Sequence, residues 1–168
     1  MDNSFVAYLQ LLEILAFFSG YPIIFLLVKY FDQYPGLKSI TKILFQSLPF
    51  SYGLIGLLFL GFEIRNAYPE FDIAHFQHPY LIFWGILSLL FLVPKLINQS
   101  SWSLYHSLVF LLIMIKNIFE TYQQENSHSQ IKNYMNIYSI SLGFNLAILL
   151  LAFLSKILLK RSNPRSDS

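Results

Sequence analysis

Cysteine is absent from this chain of 168 residues. That excludes disulfides, thiolate nucleophiles, iron–sulfur clusters and Cys-based zinc sites together. Charge is scarce as well: Asp, Glu, Lys and Arg make up 12% of the residues, about half the ~25% usual in soluble domains. The net charge of +2 is too small to suggest nucleic-acid binding. No basic patch interleaved with aromatics is present either. There is no Gly-rich phosphate loop, nucleophile elbow or dinucleotide fingerprint. Met1-Asp2-Asn3-Ser4 lacks the basic leader of a signal peptide, so the first apolar stretch is expected to be retained. No motif ties the chain to a characterised family.

Apolar residues fill the space that charge leaves. They account for 55% of the chain, and mean hydropathy is +0.53. A soluble domain of this size keeps too much surface in water to hide so many. The bilayer is the reasonable solvent, and an all-α polytopic membrane protein is the expected fold class.

A spanning helix needs about 17–25 mostly apolar residues. Five segments approach that: Phe5 to Tyr30, Ile40 to Ile64, Pro79 to Val93, Ser103 to Phe119, and Tyr134 to Leu159. They form one bundle over residues 1–161, with a polar tail at 162–168. The third and fourth are short, so a re-entrant pair that dips in and returns is the alternative to two full crossings. The loops are too short to fold as a separate domain. No internal repeat is visible, and an odd helix number suits two inverted halves poorly.

Charge orients the bundle. With the N-terminus outside, Lys29, Lys38, Lys42, Lys95, Lys156, Lys160, Arg161 and Arg165 fall on the cytoplasmic side, and only Arg65, Lys116 and Lys132 on the other. Eight basic residues against three satisfies the positive-inside rule. Tyr8, Tyr30, Tyr34, Trp102, Tyr105, Tyr122 and Tyr134 lie near segment ends, where amphipathic rings suit the headgroup layer. The aromatic-rich composition has the character of bacterial inner-membrane proteins, which is the expected location.

Two segments carry helix breakers. Gly20 and Pro22 interrupt the first, and Pro49 the second. Proline removes a helical hydrogen bond and crowds the preceding turn, so both positions are expected to break or kink. Small residues mark packing faces. Ser139, Gly143 and Ala147 recur at a spacing of four on one helix face, and Gly53 and Gly56 thin the second segment. Such faces let membrane helices approach closely, within the fold or across to another protein. Asn145 and Gln46 are expected to donate hydrogen bonds between helices.

Glu13 is the most costly residue, set among Leu11, Leu12, Ile14 and Leu15. A carboxylate there is expected to face protein or water. The deduced topology places Lys116, Glu120, Glu63 and Arg65 in the same outer half of the membrane. These residues form either a polar intramembrane site for protons or ions, or a structural or docking pair such as Glu13 with Lys116. His75 and His78, three apart and near Glu70 and Asp72, are weak metal candidates. Otherwise no metal and no cofactor is expected.

The function expected from these residues is a non-catalytic subunit, accessory to or anchoring a motor, secretion or transport complex. Its partners would be the lipid bilayer and other integral membrane proteins. The alternative is a small ion- or proton-coupled transporter or channel using the outer Glu/Lys site. A third reading is an enzyme acting on lipid or quinone through the His75 and His78 loop.

Overall fold

In the computed structural model the described residues are 3–67, 78–97, 100–123 and 128–162. Among them the chain is entirely helical, with no strand. Four helical runs are long and apolar enough to cross a membrane: Phe5–Phe31, Pro35–Ala67, Ser100–Tyr122 and His128–Leu159. Each contains one of the segments read from hydropathy, extended by one to six residues at several ends. Interfacial residues such as Lys38, Arg65 and Lys132 add turns without adding hydropathy.

The remaining segment, Pro79–Leu92, is a shorter apolar helix. It begins as α4 (Pro79–Leu87) and tightens into a 3-10 stretch over Ser88–Leu92. Pro94 then starts a single turn, α5 (Pro94–Ile97). At 1.5 Å and 2.0 Å per residue for the two helix types, residues 79–92 extend about 24 Å. The 3-10 geometry therefore recovers reach that the short sequence would otherwise forgo.

The first span is two helices, α1 (Asn3–Phe18) and α2 (Tyr21–Phe31). Pro22 occupies the first turn of α2, where its missing N–H costs nothing. Gly20 permits the join, because a Cβ there would lie 2.6 Å from the backbone nitrogen of Leu142. Pro49, by contrast, does not interrupt α3, which runs unbroken over Lys38–Ala67. The expected second break is absent. Close by, the hydroxyls of Ser47 and Ser51 donate to the carbonyls of Ile43 and Leu48. Neither reaches the Phe45 carbonyl that Pro49 frees, and the continuity of α3 fits the tolerance of membrane helices for proline where neighbouring helices pack against them.

The helices pack around the first span. Of its most apolar stretch 61% lies inside the bundle, against 17% for α7 (His128–Ser162) and 22% for α6 (Ser100–Tyr122). Phe18 is fully enclosed, stacked on Phe110 of α6 at 4.6 Å and edge-on to Phe59 of α3 at 5.2 Å. Phe17 meets Phe59 and Phe144 of α7, each at 5.4 Å. Glycines set the spacing between α3 and the α4 segment. A Cβ on Gly53 would strike Leu92, one on Gly56 the Ser88 hydroxyl, and one on Gly85 the ring of Phe59. These contacts make the α4 segment antiparallel to α3.

Candidate functional site

In a membrane interior, polar groups away from water are expensive, so their partners reveal their use. Three groups of them are visible here, together with one outward-facing ridge.

The break in the first span is clipped by α7. The Gly20 amide, left without a helical acceptor, donates to the Ser141 hydroxyl at 2.9 Å. Asn145, one turn further along α7, donates from Nδ2 to the Phe17 carbonyl at 2.8 Å and to the Ser141 carbonyl at 2.8 Å. Both ends of the broken helix thus find a partner on one face of α7. Asn145 is an interhelical donor as its sequence position suggested. Gln46 acts otherwise: its side chain is exposed, and its backbone carbonyl accepts from the Lys156 ammonium at 2.6 Å. The break serves the fold, and α7 is its clamp.

The polar residues Glu13, Glu63, Arg65, Lys116 and Glu120 are divided. Lys116 pairs with Glu120 on its own helix at 3.3 Å, and both side chains are more than half exposed, 68% and 55%. Arg65 is exposed as well. Glu13 therefore does not meet Lys116. Glu13 is half-buried on α1, which packs against α3 and its Glu63. Glu63 is only 8% exposed. Neither acid forms an ion pair among the described residues. The Tyr8 hydroxyl and Asn117 Nδ2 are also buried without a hydrogen-bond partner among those residues.

His106, which no sequence motif singled out, stands beside the middle of α3. Its Nδ1 is 2.7 Å from the Tyr52 hydroxyl, its ring stacks on Trp84 at 4.6 Å and 4°, and its carbonyl accepts from Trp84 Nε1 at 3.1 Å. Tyr21 lies beside Tyr52 at 4.4 Å and bonds Ser103 at 2.8 Å. A cavity of about 420 Å3 opens against this wall. Only tertiary packing joins Tyr52 of α3, Trp84 of α4 and His106 of α6, so spacing in the chain carried no signal.

The small residues of α7 face out. Ser139, Gly143 and Ala147 are all exposed, and a Cβ on Gly143 would meet nothing within 4 Å. Gly53 and Gly56 do the opposite and pack inward, as described above. Of the two histidines proposed as metal candidates, His75 lies outside the described residues. Nε2 of His78 donates to the Ala7 carbonyl at 3.0 Å. Among the described residues no three His, Asp or Glu side chains gather as a metal site would need.

No protein-family model, no curated protein and no solved structure matches this chain.

Proposed function

We propose that the protein is a non-catalytic subunit of a larger assembly in a bacterial inner membrane, and that it meets its partner along α7. In this reading the chain crosses five times, with the N-terminus outside and the C-terminus in the cytoplasm. The host assembly is a motor, secretion or transport machine.

The observation that carries the reading is the outward ridge of Ser139, Gly143 and Ala147. Glycines that serve this fold sit against neighbours: Gly20, Gly53, Gly56 and Gly85 each leave no room for a Cβ. Gly143 has that room and gives it to nothing in its own chain; Gly61 of α3 is open in the same way, but Leu57 and Arg65 rather than small residues flank it at a spacing of four. A glycine inside a helix costs about 1 kcal/mol relative to alanine. A membrane helix recovers such a cost when another helix approaches the small-residue face closely. The neighbouring exposed residues Asn136 and Ser139 add hydrogen-bonding groups to the same side of α7. The five-crossing topology rests on the basic-residue asymmetry; the α4 segment, whose Leu92 lies beside Gly53 midway along α3, suits the re-entrant alternative as well.

The test is affinity purification of the tagged full-length protein from its native membrane in mild detergent, with mass spectrometry of what accompanies it. A stoichiometric membrane protein that is lost in a folded Gly143→Leu variant supports the reading. Recovery of the chain alone, or a partner indifferent to Gly143→Leu, rejects it.

A second reading has one specific observation in its favour. Glu63 is buried and Glu13 half-buried on the adjoining α1, neither with an ion-paired cation among the described residues, and a bound proton or cation relieves the cost of such acids. That is the arrangement a proton- or ion-handling site requires. Purified protein in liposomes that dissipates a pH gradient, and a Glu63→Gln variant that does not, would move the weight to this reading. Tight vesicles would remove it.

A further inference from the structure

The geometry points to a binding site, beside His106, for a membrane-dissolved molecule that carries a carbonyl at the head of an apolar chain. The inference is independent of the partner surface on α7.

The cavity of about 420 Å3 is lined by Trp84, Leu87, Phe91, Leu96, Trp102 and His106, among others. Its size falls within the range of small-molecule pockets, and its lining is the usual mixture of aromatic and aliphatic groups with few polar ones. Its rim reaches the lipid, since Trp102 and Tyr105 are 63% and 66% exposed. An apolar chain can therefore enter from the bilayer without passing through water.

The wall is chemically specific. Trp84 is locked onto His106 by stacking and by its indole N–H. Tyr52 is fully buried, and its hydroxyl pairs with His106 Nδ1. The tautomer follows from counting partners. If Nδ1 carried the proton, the Tyr52 hydroxyl hydrogen and Nε2 would both lack a partner. If the phenol donates to Nδ1, the proton sits on Nε2 and one donor remains unmatched. Nε2 is indeed buried with no hydrogen-bond partner among the described residues. Buried donors are nearly always satisfied, so a N–H on a cavity-lining ring calls for an acceptor. A carbonyl supplies one while leaving the rest of the molecule apolar. Nε2 is enclosed by protein, so the carbonyl reaches it through a rotamer adjustment of the wall, which is common on binding. Two kinds of membrane molecule share this chemistry, an alkylated benzoquinone and a fatty acyl group.

The chain provides its own reporter. It contains two tryptophans, and both Trp84 and Trp102 line the cavity. In a Trp102→Phe background, Trp84 emission of the full-length protein in detergent micelles is titrated with a short-tailed benzoquinone and, separately, with brominated stearate. Saturable quenching by either probe is the expected result. Saturation by the quinone that excess stearate does not displace identifies a quinone site, and saturation by brominated stearate alone identifies an acyl site. His106→Phe, which keeps a ring on Trp84 but removes the donor, should weaken the saturable phase at least tenfold. Leu87→Phe, which narrows the cavity and touches no hydrogen bond, should do the same. Quenching that rises linearly with both probes overturns the assignment. So does undiminished saturable binding in either variant, with helicity and elution volume unchanged.

Discussion

The amide of Gly20 donates to the Ser141 hydroxyl, 121 residues away in sequence, across a gap that only glycine allows. The Gly20→Ala change would push a methyl onto the α7 backbone, which cannot give way as a flexible side chain would. Overpacking of this kind typically costs about 1–3 kcal/mol. The expected outcome is a lower thermal midpoint in detergent micelles. An unchanged midpoint would mean that α7 is not clamped on the break.

Asn145→Ala removes the donor to the Phe17 carbonyl. Single interhelical hydrogen bonds in membranes average below ~1 kcal/mol, but here a buried carbonyl is also left bare. A loss of about 1–2 kcal/mol is expected by steric trapping or denaturant titration. Combined with Ser141→Ala, the loss should be less than additive, because Asn145 Nδ2 also donates to the Ser141 hydroxyl at 3.4 Å.

Gly56→Val and Gly143→Leu should behave oppositely in the isolated protein. The first drives its side chain into Ser88 and should lower the midpoint sharply. The second projects into open space and should leave it within a few degrees. A destabilised Gly143→Leu would show that the α7 ridge is used inside the fold.

Glu63→Gln keeps shape and hydrogen-bonding capacity while removing the charge of a buried acid that has no ion-pair partner among the described residues. The thermal midpoint should rise. A fall would reveal that the Glu63 charge is matched by a group that supports the fold. Lys116→Ala serves as the contrast: it deletes an exposed helical pair, and such pairs contribute only about 0.3–0.5 kcal/mol.

The absence of cysteine makes topology directly measurable. Single cysteines at Lys38, Lys95 and Lys132, all exposed positions, can be treated in intact cells with a membrane-impermeant maleimide. Five crossings with the N-terminus outside predict labelling at 132 only. Labelling at 95 would put that turn on the outer side and reject five crossings, and labelling at 38 in place of 132 would invert the bundle.

Composition and hydropathy were enough to recognise the helices, because apolar length is what the bilayer selects and every residue of a span contributes to it. The first break was equally legible, since Gly20 and Pro22 act on their own backbone. Pro49 shows the limit of that reading: the same local rule applies, yet α3 continues. Spacing of four placed Ser139, Gly143 and Ala147 on one face of α7, because helical periodicity is local. Whether that face looks in or out depends on how α7 is rotated, and the Ser141 and Asn145 contacts to the first span decide it. Glu13 stood out as a costly residue, but which of the candidate partners turns inward did not. Depth alone made Lys116 as plausible as Glu63, and only side-chain direction turns Lys116 outward and Glu63 inward. The His106 wall draws on three separate helices, and no periodicity links them. The sequence by itself determined what the bilayer reads one helix at a time: length, apolarity and local breaks. The tertiary structure alone decided which polar groups meet, because helices in lipid associate through close packing and a few hydrogen bonds that belong to pairs of helices.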